Sequence, residues 1–382
     1  MTTAQPSGMR ALTREIADTS SPVRQFLNDR FTSGLLDVQR RFRSVAPPLV
    51  VPSVPSAEAN PGTIDGAADW LLRFLACPHP DIHLAMAGAG RYLGPRMMRA
   101  TAELAALLGA ALRPYPGPVA TPDPYDAAVL MEVNDLIAPM GTAPARPATF
   151  TGPLPGSDVD AELLTRGCWA LALLTEAFRS MQAATMGPLS RFQGRTVTAD
   201  DLLALAPPAG LDQLDRFREV FQSALLPQLA SRTGPWTLGP TFAGSALIGG
   251  ADGDLIAAGL LLELKTSSKL SLPVTDMLQV IGYALLDFDD AYRLDTLGLF
   301  NARYSYLVTW NVASLLRDLA GHHVNLAAAR DEFQVHLLAC QPGALRTQAG
   351  IPARAGRNAS HPRAARQFRS THANHLLHPP QH

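Results

Sequence analysis

Residues 260–265 read LLLELK, a leucine run broken by one carboxylate and closed by one ammonium. Side chains alternate across a strand, so Leu260, Leu262 and Leu264 share one face and Leu261, Glu263 and Lys265 the other. A carboxylate in so apolar a strand is costly unless it is paired or binds a cation. The basic composition sharpens the point. Of 32 Lys and Arg residues, Lys265 and Lys269 alone are lysine. Arginine cannot stand in where a compact ammonium with an adjustable pKa is needed.

The preceding segment supplies a partner. In a strand over Ala251–Ile256, Asp252, Asp254 and Ile256 share a face, and the turn falls around Ala257, Ala258 and Gly259. An even-membered loop sets Asp254 opposite Glu263 on that face. Two carboxylates ~5 Å apart across strands repel unless a positive charge lies between them. A hard cation such as Mg2+ or Mn2+ fits oxygen ligands of this kind. Lys265, one pleat further on, is placed to orient a water and to stabilise charge on a phosphoryl oxygen. Gln279 and Tyr283 lie four apart on one face of the helix that follows. Both are neutral and polar-tipped, suited to holding a phosphate or a base without adding charge.

Taken together, Gly253-Asp254-Leu255-Ile256, then Glu263-Leu264-Lys265-Thr266, then Gln279 through Tyr283 resemble the PD-(D/E)XK nuclease superfamily, specifically its RecB-like branch. The resemblance runs from about Leu211 to Trp310. It implies a divalent metal, Mg2+ or Mn2+, held by Asp254, Glu263 and the backbone carbonyl of Leu264, with Asp252 competing with Asp254 as the ligand. It implies that Lys265 assists the attacking water and that Gln279 and Tyr283 support the site and the substrate strand. The activity implied is phosphodiester hydrolysis, of DNA rather than RNA. Many members carry a further acid or His in the helix before the first strand, and Glu219 is the candidate here. Some hold an iron–sulfur cluster on four cysteines; three scattered ones, Cys77, Cys168 and Cys340, do not suit it. The rival reading keeps the nuclease fold in a non-catalytic nucleic-acid-binding or assembly subunit.

Along the chain the expected class is α/β: a restriction-endonuclease-like core with an N-terminal helical region and a disordered basic tail. Residues 1–195 read as helices broken by proline-rich connectors, and this region is the candidate docking site for a protein partner. Ser21 and Pro22 open one helix; Ala67–Leu75, Met97–Leu112 and Ala161–Phe178 are others, and Leu211–Leu229 is a further helix. Pro47–Pro61, Pro114–Pro124 and Pro139–Pro155 are links or loops. The nuclease core spans 196–340. Its strands are expected at Thr241–Ile248, Ala251–Ile256 and Leu260–Lys265 as an antiparallel meander. A helix follows over Thr275–Phe288, then strands over Thr296–Phe300 and Tyr304–Trp310. The tail, 341–382, has six arginines and no acid.

Net charge of -1 excludes a global basic field, so any nucleic-acid surface is local. There is no apolar segment after Arg10 and Arg14 and no stretch of about 20 apolar residues, so a soluble, cytoplasmic protein without a membrane partner is expected. Cys77, His79 and His83 have a spacing that zinc could use, but prolines interrupt it. Gly88, Gly90 and Gly94 read as a turn between helices. Tyr304, Tyr306 and Trp310 read as strand and core aromatics.

Overall fold

The computed structural model describes residues 10–45, 47–54, 59–77, 79–112, 149–150 (backbone alone) and 160–341. Pro114–Pro124 and all of the tail but Gln341 lie outside the described residues.

The strands are β1 (Thr149–Phe150), β2 (Trp236–Leu238), β3 (Leu255–Ala257), β4 (Leu260–Lys265), β5 (Thr296–Asn301) and β6 (Tyr306–Asn311). They form one six-stranded sheet in chain order. Neighbours are antiparallel except β4 and β5, which run parallel. Parallel neighbours need a crossover, and a helix at Val274–Leu286 supplies it. The β3–β4 turn is short because Ala258 (φ 47°) and Gly259 (φ 83°) both adopt the left-handed backbone that tight hairpins require. Leu255 therefore faces Leu262 and Ala257 faces Leu260, and the same register carried one step back sets Asp254 opposite Glu263.

Helices cover both faces. On the N-terminal side they are α1 (Leu12–Ala17), α2 (Pro22–Phe31), α3 (Leu35–Ser44), α4 (Pro61–Ala76), α5 (His83–Leu93), α6 (Pro95–Ala111), α7 (Ala161–Arg179), α8 (Met181–Met186) and α9 (Ala199–Leu203). Then come α10 (Pro208–Val220), α11 (Leu226–Ala230), α12 (Val274–Leu286), α13 (Val312–Ala320) and α14 (Leu326–Ala339). Leu255, Leu260, Leu262, Leu264 and Phe300 pack into one core with α4, α6, α7 and α10. Ile256, Leu261, Leu297 and Leu299 pack into another with α1–α3 and α12–α14. β4 is thus buried on both faces over Leu260–Leu264, which is why four of its six residues are leucine. Both cores cross residue 195, and residues up to Ala344 cluster as one compact unit. Among the described residues no helix is long and apolar enough to cross a membrane.

Several elements differ from the sequence expectation. Thr241–Ile248 is not a strand: it forms a 3-10 turn at Ala243–Leu247, with a lone bridge between Thr241 and Asp252. Ser245 explains it. Its Oγ accepts from Phe242 N (3.0 Å) and donates to Ala251 O (2.7 Å), giving the backbone local partners in place of a ladder. The first strand of the meander is β2 instead, and β1 falls inside the expected 139–155 loop. The 211–229 helix is interrupted by a π turn at Phe221–Leu225. Pro227 lacks an amide proton and its ring crowds the preceding turn, and the wider turn relieves both. Gly88 and Gly90 lie inside α5 rather than in a turn; Gly94 (φ 86°) makes the break. A Cβ at Gly88 would overlap the Leu174 carbonyl, so glycine there lets α5 lie directly on α7.

Candidate active site

The site starts from the pleat of β4. Leu262 and Leu264 point into the first core, so Glu263 and Lys265 point toward α12, which supplies Gln279 and Tyr283. Lys265 Nζ donates to Glu263 Oε1 (3.0 Å) and to Gln279 Oε1 (3.0 Å). Gln279 Nε2 donates to the same Glu263 oxygen (2.7 Å) and to the Tyr283 hydroxyl (2.9 Å). Glu263, Gln279 and Tyr283 are buried, and Lys265 keeps 22% of its side chain exposed. Phe242 stacks on Tyr283 with ring centroids 5.3 Å apart and holds that ring against the network.

Asp254, just before β3, accepts from the Leu264 amide at 2.6 Å. A residue in a strand turns its N–H and C=O to the same side. The Leu264 carbonyl therefore lies on the β4 edge that meets Asp254. Asp252 turns elsewhere: its carboxylate pairs with Arg179 at the end of α7 (2.8 Å). All five expected side chains, Asp254, Glu263, Lys265, Gln279 and Tyr283, thus come to one place. Glu219 does not, lying on the exposed face of α10.

The electrostatics are those of a site short of positive charge. Desolvation pushes the Glu263 carboxyl up to about 7 despite Lys265. Desolvation, then Glu263 and Asp69, hold Asp254 well above the usual carboxylate range. Lys265 is raised: burial works against its charge, but Glu263, Asp276 and Asp254 outweigh it. It is an ammonium at neutral pH, an electrostatic and orienting group rather than a base. Burial and Glu263 together raise Tyr283 well above the ordinary phenol. Most telling, Glu263 Oε2 is buried without a hydrogen-bond partner.

Residues distant in sequence join the site. Asp65 and Asp69 are four apart on α4, and their charges act on Glu263. Asp65 Oδ1 accepts from Thr266 Oγ1 (3.1 Å), across 201 residues of sequence. Asp69 is held by Arg73 at 2.7 Å. The helix that brings acids to the site is therefore α4, not α10. The available signal was two acids four apart in the run from Ile64 to Leu75, which is apolar but for them and Arg73. On the far side Phe42, Ser267, Asp276, Asn301 and Tyr306 line a cleft beside Lys265. Asn301 and Tyr306 belong to the same row across β4, β5 and β6 as Lys265.

Among the described residues no three His, Cys, Asp or Glu side chains converge at ligand distance. Mg2+ does not require three. It keeps several waters and is typically bound through one or two carboxylates. An orphaned oxygen on Glu263 with Asp254 opposite, both carboxyls pushed up chiefly by burial, is a donor set that such an ion could take. No family model, curated protein or solved structure matches this chain.

Proposed function

We propose that this protein is a metal-dependent nuclease with a PD-(D/E)XK core of the RecB-like kind, hydrolysing phosphodiester bonds of DNA. The observation that carries this reading is the unpartnered Glu263 Oε2 beside Asp254, on the edge where Lys265 is pinned by Gln279. The helix, three strands, crossover helix and two further strands supply the order of elements the resemblance calls for. Asp254, Glu263 and the Leu264 carbonyl would hold Mg2+ or Mn2+. The ion, when bound, lowers the pKa of a water and offsets charge on the phosphoryl group. Lys265 supplies a fixed positive charge to the oxygen that gains charge as the phosphodiester opens. Gln279 fixes the Lys265 ammonium and one Glu263 oxygen at once, leaving the other free. Tyr283 holds the Gln279 amide in that orientation.

The test is a cleavage assay on linear, circular and single-stranded DNA with Mg2+ or Mn2+, run on the wild type, Lys265→Arg and Lys269→Arg. Arginine keeps the charge, so a simple ion pair with Glu263 would survive the change. Its wider fork would crowd the water and the ion. Loss of one such transition-state contact lowers the rate by ~10²–10³. Lys269 lies in the exposed loop after β4, so Lys269→Arg is expected to keep the wild-type rate. Equal rates in both variants would remove Lys265 from the chemistry. DNA binding without cleavage by the wild type would instead support the non-catalytic reading.

A further inference from the structure

An ammonium at Lys265 cannot take the proton of an attacking water, so hydrolysis at this site needs another acceptor. Lys265 itself shows where to look. Its ammonium has three N–H donors. Two go to Glu263 Oε1 and Gln279 Oε1, both at 3.0 Å. The third is left for the exposed side of the group, which borders the cleft that Asp276, Asn301 and Tyr306 also line. That cleft holds about 40 Å3, room for a water and not for a nucleobase.

The polar groups around the cleft are unevenly employed. Asn301 Oδ1 accepts from Arg303 N (3.1 Å), and its Nδ2 donates to Ser267 O (3.4 Å). Ser267 Oγ donates to Lys269 O and accepts from Lys269 N, both at 3.2 Å. Asp276 is not held in this way. Thr275 Oγ1 donates to its Oδ1 at 3.4 Å, which is long for a hydroxyl. It is the third residue of α12, where a carboxylate commonly folds back onto the N-cap amide. The N-cap here is Pro273, which has no N–H to offer. The helix therefore leaves the carboxylate to the cleft. The charged and titratable groups facing it are Lys265 from β4 and Tyr306 from β6; α3 and β5 contribute only Phe42, Leu299 and Asn301. Burial raises the Asp276 carboxyl and the Lys265 charge lowers it, and burial prevails. A carboxylate moved toward neutrality is a better proton acceptor than an ordinary one. Asp65, whose charge also meets that of Lys265, spends an oxygen on Thr266 Oγ1 at 3.1 Å and does not line the cleft.

We infer that Asp276 is the base that takes the proton of the attacking water, and that the cleft between it and Lys265 holds that water. This rests on the nuclease reading. The water accepts from the third Lys265 N–H and donates to the Asp276 carboxylate. Its oxygen bonds to phosphorus as that proton passes to Asp276. The bond from phosphorus to the leaving oxygen breaks, and that oxygen keeps the electron pair and takes a proton from solvent. Asp276 then releases its own proton to solvent.

The experiment uses linear DNA with Mg2+ and the full-length wild-type, Asp276→Asn and Asp276→Ala proteins. General base catalysis contributes ~10²–10⁴-fold, so both variants are expected to lose about 100-fold at pH 7. Hydroxide needs no base, so the deficit of Asp276→Asn narrows as pH rises. Formate fits the space of the deleted carboxylate; it restores cleavage by Asp276→Ala in a saturable way and leaves Asp276→Asn unchanged. The melting temperature and DNA affinity of both variants, measured without metal, stay at the wild-type values, which damage to the fold would lower. Full rate in Asp276→Asn, or a loss that neither high pH nor formate relieves, overturns the assignment of Asp276 and leaves the nuclease reading standing. A wild type that cleaves no DNA overturns the nuclease reading itself.

Discussion

Glu263 receives two hydrogen bonds on one oxygen and none on the other, inside a sheet otherwise filled with leucine. The consequence is a stability that depends on pH. Its carboxyl ionises near 4.5 in an unfolded chain and near 7 in the fold, so between those values the folded state binds more protons. Stability then falls as pH rises through that window, by roughly 3 kcal/mol for this one group at 1.36 kcal/mol per pKa unit. Asp254, raised as well, acts in the same direction. A cation bound between them acts oppositely, by binding the ionised folded form. Metal-free protein should therefore lose melting temperature from pH 5 to pH 7.5. Mg2+ or Mn2+ should restore much of it at pH 7.5 and little at pH 5. In Glu263→Gln both the decline and the metal increment should shrink. A metal-free melting temperature that is flat or rising over this range would show that Glu263 is not held in a cation-deficient pocket.

At the level of elements, the site depends on how the chain leaves β4. Arg303, in the turn between β5 and β6, is buried and reaches four neutral oxygens. Its Nε donates to Thr266 O, its Nη1 to Val51 O (3.4 Å) and Pro52 O (3.3 Å), and its Nη2 to Gln213 Oε1 (2.8 Å). The Arg303 carbonyl in turn accepts from the amides of Val50 and Val51 (2.8 and 2.9 Å). One side chain thus ties the 47–54 link, α10 and the end of β4 together. Arg303→Met keeps the apolar stem but leaves those carbonyls unpaired, which costs about 1–3 kcal/mol for each acceptor that water cannot reach. A shift of the urea midpoint corresponding to about 2–4 kcal/mol is expected; a change under about 1 kcal/mol would mean that water replaces the guanidinium freely. Nothing local in the sequence marks this residue, since its partners lie up to 252 positions away. β4 and α12 were legible because their meaning lies in short spacings: a two-residue pleat and a four-residue helical step. Thr241–Ile248 misled because β-forming residues sit beside Ser245, whose hydroxyl captures the backbone first. Asp65 and Asp69 were hidden because no spacing rule relates α4 to β4 across the 201 positions that separate Asp65 from Thr266.

For the whole molecule, the change of texture near residue 195 suggests a helical region attached to a separate α/β core, yet the packing joins them. The inward leucines of β4 and Leu255 of β3 meet α4, α6 and α7 on one face. Phe26, Leu27, Val38 and Phe42 of α2 and α3 share the other core with Leu261, Leu297 and α12. A chain starting at residue 196 would leave both faces of the sheet partly bare. At ~25 cal/mol per Å2, uncovering even a few hundred Å2 of apolar surface on each face removes a stability of the size a domain has in total. Composition could not reveal this, because a helix buried against a sheet and a helix buried against other helices show the same apolar stripe. Full-length protein is therefore expected to unfold in a single cooperative transition. The fragment 196–341 should show no cooperative melt, bind a hydrophobic dye and lack cleavage activity even with metal present. A fragment that melts cooperatively would establish the α/β part as a self-sufficient domain. It would also mean that Asp65 and Asp69 are additions to a site complete without them, whereas loss of folding makes the helical half part of the site's own foundation.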